Sequence, residues 1–139
     1  MQYARDMTTI DEILSTDEET LNKVLDVTYY DQKPGDMFFV KGKPDKAYLI
    51  EDIELIDGNY YLVYYGGEKI NYEDTLPLFT SGNLIDMLQT HQLVEIRTFR
   101  AGWLLIFDNV HIYTSEEDEL LVSFLWRALT DLVVRDKLH

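Results

Sequence analysis

The spacing of apolar residues changes period twice before the middle of the chain. Ile10, Ile13 and Leu14 recur at helical steps, and so do Leu21, Val24 and Leu25. Residues 1 to 31 therefore read as helical: two short helices or one broken helix, with Ser15-Thr16 as the joint. Thr9 and Glu12 have capping-box spacing, as do Thr16 and Glu19. Lys33-Pro34-Gly35-Asp36 is a turn signal, and beyond it the pattern becomes extended. Met37 to Lys41, Ala47 to Ile56 and Asn59 to Tyr65 are rich in β-branched and aromatic residues. Lys41-Gly42-Lys43-Pro44-Asp45 links the first pair, and Asp57-Gly58 is a tight hairpin signal for the second. Gly66-Gly67 turns into a short strand at Lys69 to Tyr72, and Thr75 to Phe79 reads as a connector. Four short strands with tight turns predict a small, strongly bent antiparallel sheet of SH3-like type. Pro34-Gly35-Asp36 entering a strand resembles the opening of such barrels.

Helical spacing returns after the connector. Thr80 or Ser81 can cap a helix to about Gln89, with Leu84, Ile85 and Leu88 as its buried face. From Leu93 to Arg100 the chain alternates, with Leu93, Glu95, Arg97 and Phe99 on one side and Val94, Ile96 and Thr98 on the other. Ala101-Gly102 turns into Trp103 to Phe107, and Asp108-Asn109 into Val110 to Tyr113, which completes a three-stranded meander. The last stretch, Ser115 to Lys137, predicts a helix with Ser115 as N-cap and Glu116 to Glu119 at its electropositive start. Leu121, Phe124, Leu125, Ala128, Leu129 and Leu132 make its core stripe, suited to the meander. Val122, Trp126 and Val133 form a further apolar flank. A helix this apolar needs cover on more than one side. Either the N-terminal helices or a second copy of the protein must supply it. The expected architecture is α+β: residues 1–75 carry the helical segment and small β unit, residues 76–139 a helix–meander–helix unit, the two forming one two-part domain.

Composition limits the function classes. The chain has 139 residues, 46% of them hydrophobic, enough for a substantial core. With no cysteine, disulfides, thiolate metal sites and cysteine nucleophiles are excluded. The first residues lack the apolar segment of a signal peptide, and the longest apolar run is far short of the ~20 residues of a membrane span. The expected setting is the cytoplasm, with no membrane partner. A net charge of −14 disfavours DNA, RNA and anionic membranes, and admits a basic protein partner or mimicry of nucleic-acid charge.

The stretch from Leu76 to Val134 resembles the C-terminal part of small proteins carried in prophage regions of gut bacteria. The shared features are Ser81-Gly-Asn-Leu-Ile-Asp-Met-Leu88, a short meander, and an acidic start leading to Asp118-Glu-Leu-Leu-Val-Ser-Phe-Leu-Trp-Arg-Ala-Leu129. These motifs are structural, and the group has no established activity. The resemblance implies only a mobile-element accessory protein.

No constellation in the chain identifies a chemistry. His91, His111 and His139 do not have the spacing of a helical metal pair, and His111 reads as a partly exposed strand residue. Glu51, Asp52 and Glu54 lie in one run and Glu116 to Glu119 in another, without a calcium-loop, nuclease, phosphate-loop or nucleophile-elbow pattern. No catalytic, cofactor or metal residue is assigned. The aromatics carry more. Tyr60, Leu62 and Tyr64 share one face of their strand, and Tyr61, Val63 and Tyr65 the other. The strand is then central and covered twice, or one tyrosine face is a binding surface, or it stacks single-stranded bases, which its acidic neighbours Asp57 and Glu68 oppose. The expected function is a non-catalytic interaction or regulatory protein. It would bind another protein through Tyr60, Tyr61, Tyr64 and Tyr65, or through Val122, Trp126 and Val133, the latter also serving a homodimer. The alternative is a charge mimic of nucleic acid that inhibits a nuclease or DNA-binding protein, in the manner of anti-restriction or anti-CRISPR proteins.

Overall fold

A computed structural model describes residues 6–90 and 92–138. Its described elements, in chain order, are helices α1 (Ile10–Leu14) and α2 (Glu18–Val27), strands β1 (Met37–Val40), β2 (Lys43–Leu49), β3 (Asp52–Ile56), β4 (Asn59–Tyr64), β5 (Glu68–Asn71) and β6 (Thr75–Leu78), helix α3 (Ser81–Gln89), strands β7 (Val94–Phe99), β8 (Gly102–Phe107) and β9 (His111–Thr114), and helix α4 (Leu121–Val134). The protein is α+β, with three antiparallel sheets ordered β2-β1-β6, β3-β4-β5 and β7-β8-β9.

The first two sheets form the small barrel. The chain bends between β2 and β3 at Ile50, whose N–H donates to the Asp36 carbonyl and whose carbonyl accepts from Gly35 N–H, each at 2.9 Å. One stretch thus serves both sheets, and the chain returns to β1 through a single 3-10 turn (Tyr72–Asp74) and β6. This is the connectivity of an SH3-like barrel. Asp57 and Gly58 both have positive φ (51° and 83°), the backbone a two-residue hairpin of this hand requires. The barrel interior is Phe38, Ile50 and Leu62, flanked by Val40, Tyr48, Ile53, Tyr64 and Ile70.

Strand alternation connects this interior to a second, larger core. Phe38 faces the barrel; its neighbour Phe39 faces the other way, joining Leu78, Phe79, Leu84, Leu105 and the buried face of α4. β1 is therefore the strand covered on both faces, not β4, where Tyr61 and Val63 stay half-exposed. The large core runs from Ile13 to Leu138 and draws on every helix and the inner face of the meander. A boundary between residues 75 and 76 does not follow this packing: β6 begins at Thr75, and α1 and α2 share a core with α4 rather than with the barrel interior.

Several expectations are corrected by local bonding. Thr75 to Phe79 is not a connector, since β6 pairs with β1 in register Phe38↔Pro77; Pro77 is tolerated because β6 is an edge strand. Asp17, not Thr16, caps α2, accepting from Thr20 N–H at 3.0 Å. Residues 6–9 are not helical, and Met7 bridges to Thr80. The β7–β8 turn is Arg100-Ala101; Gly102 already lies in β8, where a Cβ would collide with Ser115 Oγ.

The start of α4 also differs. Ser115 does not cap it. Its N–H donates to the Trp103 carbonyl (2.9 Å) and its Oγ accepts from Trp103 N–H (2.8 Å), so it extends the β8–β9 pairing. Glu116 to Glu119 form a turn, and α4 begins at Leu121 without a side-chain cap. Glu119 accepts from Glu116 N–H (3.0 Å) and from Arg127 Nε and Nη2 (3.0 and 2.8 Å), which holds its carboxyl below the ordinary range. The helix ends in a Schellman motif, with Asp136 at φ 58°, Asp136 N–H on the Val133 carbonyl and Lys137 N–H on the Leu132 carbonyl.

Candidate functional site

The apolar flank of α4 is interior. Trp126 is 5% exposed, stacks on Phe79 with centroids 5.1 Å apart, and donates its Nε1–H to Thr16 Oγ1 at 3.3 Å. Val122 and Val133 are buried in the same core, with Ile13, Leu21 and Val24. The N-terminal helices supply the cover. Val122, Trp126 and Val133 are therefore withdrawn as interaction residues, because no face remains there for a second copy.

The four candidate tyrosines do not make one surface. Tyr64 packs inward, its ring 5.3 Å from Phe38 and 4.9 Å from Tyr48. Tyr61 is half-buried on the opposite face of β4, across from Glu54 and Asn71. Tyr65, at φ 52° in the turn after β4, is 71% exposed and makes a corner with Tyr48: centroids 6.3 Å apart, planes at 73°. Lys46 fills that corner, with Nζ 5.3 Å from the Tyr48 ring and 4.6 Å from Tyr65. Tyr60 points elsewhere, into a groove.

This groove, of about 970 Å³, lies between α2 with its following loop and the barrel. Its size is that of a ligand or peptide-side-chain site. Leu25, Ile53, Leu62, Leu76 and Pro77 give it apolar walls; Asn22, Asp26, Asp31, Gln32, Lys41 and Glu73 give it polar ones. Asn22, Leu25 and Asp26 come from one face of α2, as three- and four-residue spacing requires. The opposite face of α2 buries Leu21 and Val24, so the helix is fixed against α4. The loop after α2 is pinned by Tyr30, whose hydroxyl donates to Asp36 Oδ2 (2.9 Å) and whose ring packs edge-on against Phe79 (5.0 Å). Burial, with Asp36 beside it, raises the Tyr30 phenol far above its ordinary pKa, so it stays a neutral donor.

Two tyrosines stand at the mouth. Tyr60 (53% exposed) is set by the β3–β4 hairpin opposite Leu55, and Tyr72 (46% exposed) by the 3-10 turn. Asn71 caps that turn by accepting from Glu73 N–H (3.0 Å), and Thr75 Oγ1 donates to the Tyr72 carbonyl (2.7 Å). The two rings form a corner, with centroids 6.3 Å apart and planes at 80°. Gln32 also lines the groove, and its Nε2 is a buried donor with no hydrogen-bond partner among the described residues. Tyr72 and Gln32 are not signalled by the sequence pattern: Tyr72 falls at the end of an expected strand, and Gln32 between the helical segment and the Lys33-Pro34-Gly35-Asp36 turn signal.

The carboxylate runs do not converge. Glu51 accepts from Gly66 N–H (2.9 Å), Asp52 from Ile53 N–H (2.8 Å), and Glu54 pairs with Lys69 (2.6 Å). Among the described residues no three His, Asp or Glu side chains are placed to share a metal ion. His111 is half-buried beside Phe107 (6.4 Å), and His91 and His139 lie outside the described residues. Among the described residues no helix is long and apolar enough to cross a membrane. In comparisons with known proteins, no family model, no curated protein and no solved structure matches this chain.

Proposed function

We propose that this is a non-catalytic interaction module that binds another protein through the groove between α2 and the barrel. One observation carries the reading: the groove combines apolar walls, two exposed tyrosines and carboxylates that form no ion pair among the described residues, on elements that are otherwise firmly held. Tyrosine is favoured at interfaces because it brings large contact area at small entropic cost. The resemblance to prophage-borne proteins gives this reading a setting, an accessory protein of a mobile element acting in the cytoplasm.

The charge-mimic reading is less favoured. Mimicry needs carboxylates in two rows at phosphate spacing. Here Asp11, Glu12, Asp17, Glu18 and Glu19 sit at helix starts, Glu73 and Asp74 in the 3-10 turn, and Asp57, Asp108, Glu117 and Asp118 in turns. Those are positions that helix dipoles and turn chemistry already explain.

A photo-crosslinking residue at Glu73 tests the reading in cells. The expected result is a protein adduct formed from Glu73, not from the exposed helix position Val134, and abolished by Asn22→Trp, which fills the groove from α2. The same adduct from Val134, or its persistence in Asn22→Trp, would count against the groove.

A further inference from the structure

We infer that the occupant of the groove is an extended basic segment of the partner, and that the Tyr60–Tyr72 corner seats one of its lysine ammonium groups; this rests on the groove being the interaction site. The molecule carries its own precedent. On another side of the barrel the Tyr48–Tyr65 corner has matching geometry, with centroids again 6.3 Å apart and planes at 73° against 80°. There Lys46 places its ammonium within 5.3 Å of both ring centroids. Such seating is favourable because the ring faces carry partial negative charge. Among the described residues no lysine or arginine sits over Tyr60 or Tyr72.

The groove's charges select the same occupant. Asp26, Asp31 and Glu73 line it against the single Lys41, and none of the three carboxylates forms an ion pair among the described residues. Glu73, next to Tyr72 in the 3-10 turn, lines the same groove. The net charge of −14 adds a long-range attraction for a basic segment and a repulsion for nucleic acid and anionic lipid. The apolar walls beside these charges suit a segment with alternating apolar and basic side chains better than a small amine. Backbone pairing at Tyr60 and the Asn71 cap beside Tyr72 fix the backbone positions from which the two rings project.

The test is fluorescence anisotropy with a labelled, capped peptide Leu-Lys-Val-Lys-Leu, and the same peptide with glutamate for lysine. Wild type is expected to bind the lysine peptide and not the glutamate one. Tyr60→Ala and Tyr72→Ala, which leave net charge unchanged, are expected to weaken binding about three- to tenfold. Tyr60→Phe, which keeps the ring, should restore it, and Tyr65→Ala should not change it. Equal binding by all tyrosine variants, or none by wild type at millimolar peptide, overturns the lysine seat. Asn22→Trp separates the two failures. If it abolishes binding that is indifferent to Tyr60 and Tyr72, the groove stands and the seat is wrong. If it changes nothing, both readings fall.

Discussion

The two cores of this molecule are built from the same strand yet differ in what they leave uncovered. The large core covers both the core stripe of α4 and its flank of Val122, Trp126 and Val133, leaving Arg127 and Val134 exposed, and its largest members, Phe39, Phe79, Phe107, Phe124 and Trp126, are essentially sealed. The small core has three fully buried residues, Phe38, Ile50 and Leu62, ringed by half-buried tyrosines and isoleucines. A barrel of this size cannot seal itself, and its unsealed rim is where the groove and both tyrosine corners lie. Stability is therefore concentrated in one region, and the surface proposed for recognition lies in the other.

Substitutions can break or sharpen that contrast. The largest effect is expected for Trp126→Ala, a loss of about 3–5 kcal/mol in urea unfolding, because a sealed site cannot collapse around the cavity. Light scattering should find the same mass before and after the change, since Trp126 faces Phe79 within its own chain. Leu62→Ala should cost about 2–3 kcal/mol, near the lower end for such truncations, because its site opens toward the groove and can relax. Amide exchange should then quicken in β3, β4 and β5 and stay slow in α4; equal quickening in both would erase the distinction between the cores. Gly102→Ala should cost about 1–3 kcal/mol by forcing Ser115 away from the Trp103 amide. The smallest effect concerns Glu119. Its carboxyl is depressed by Arg127, so its contribution is present above the unfolded value of about 4.3 and is lost as pH falls through the lower folded value. Glu119→Gln should flatten acid destabilisation in that window by less than about 1 kcal/mol, because Arg127 is well exposed.

Much of the architecture was legible where local chemistry and tertiary packing agree. Asp57-Gly58 reads as a hairpin because few other residue pairs accept two positive φ values, and Thr9 with Glu12 reads as a helix start because the reciprocal bonds are local. The alternation of Val94 and Ile96 against Glu95 and Arg97 fixed the inner face of β7. Failures arose where a distant partner decides. Ser115 is an equally good cap or strand residue by type, and Trp103, twelve positions earlier, claims it. Thr75 to Leu78 carries a proline and no clear alternation, so only its pairing with β1 makes it a strand. The tyrosines of β4 were recognisable as unusual, but not their separation into an inward ring (Tyr64), a filled corner (Tyr65) and an open one (Tyr60). That outcome depends on Lys46 and Tyr72, which pattern alone does not bring together.

The double duty of β1 carries a consequence for synthesis on the ribosome. Every strand of the barrel has been made by Leu78, before α3 or α4 exists. Its interior can then close, but Phe39, Ala47, Leu76 and Leu78 point toward a core whose other half is still untranslated. Helices α1 and α2 wait as well, with Ile13, Leu21 and Val24 lacking α4. The nascent chain is expected to carry a folded barrel with a greasy back until residue 134 emerges, a state that a chaperone would shield. Stalling translation once Phe79 has cleared the ribosomal exit tunnel but α4 has not, and probing by limited proteolysis, would reveal it as a protected barrel beside cleavable N-terminal helices.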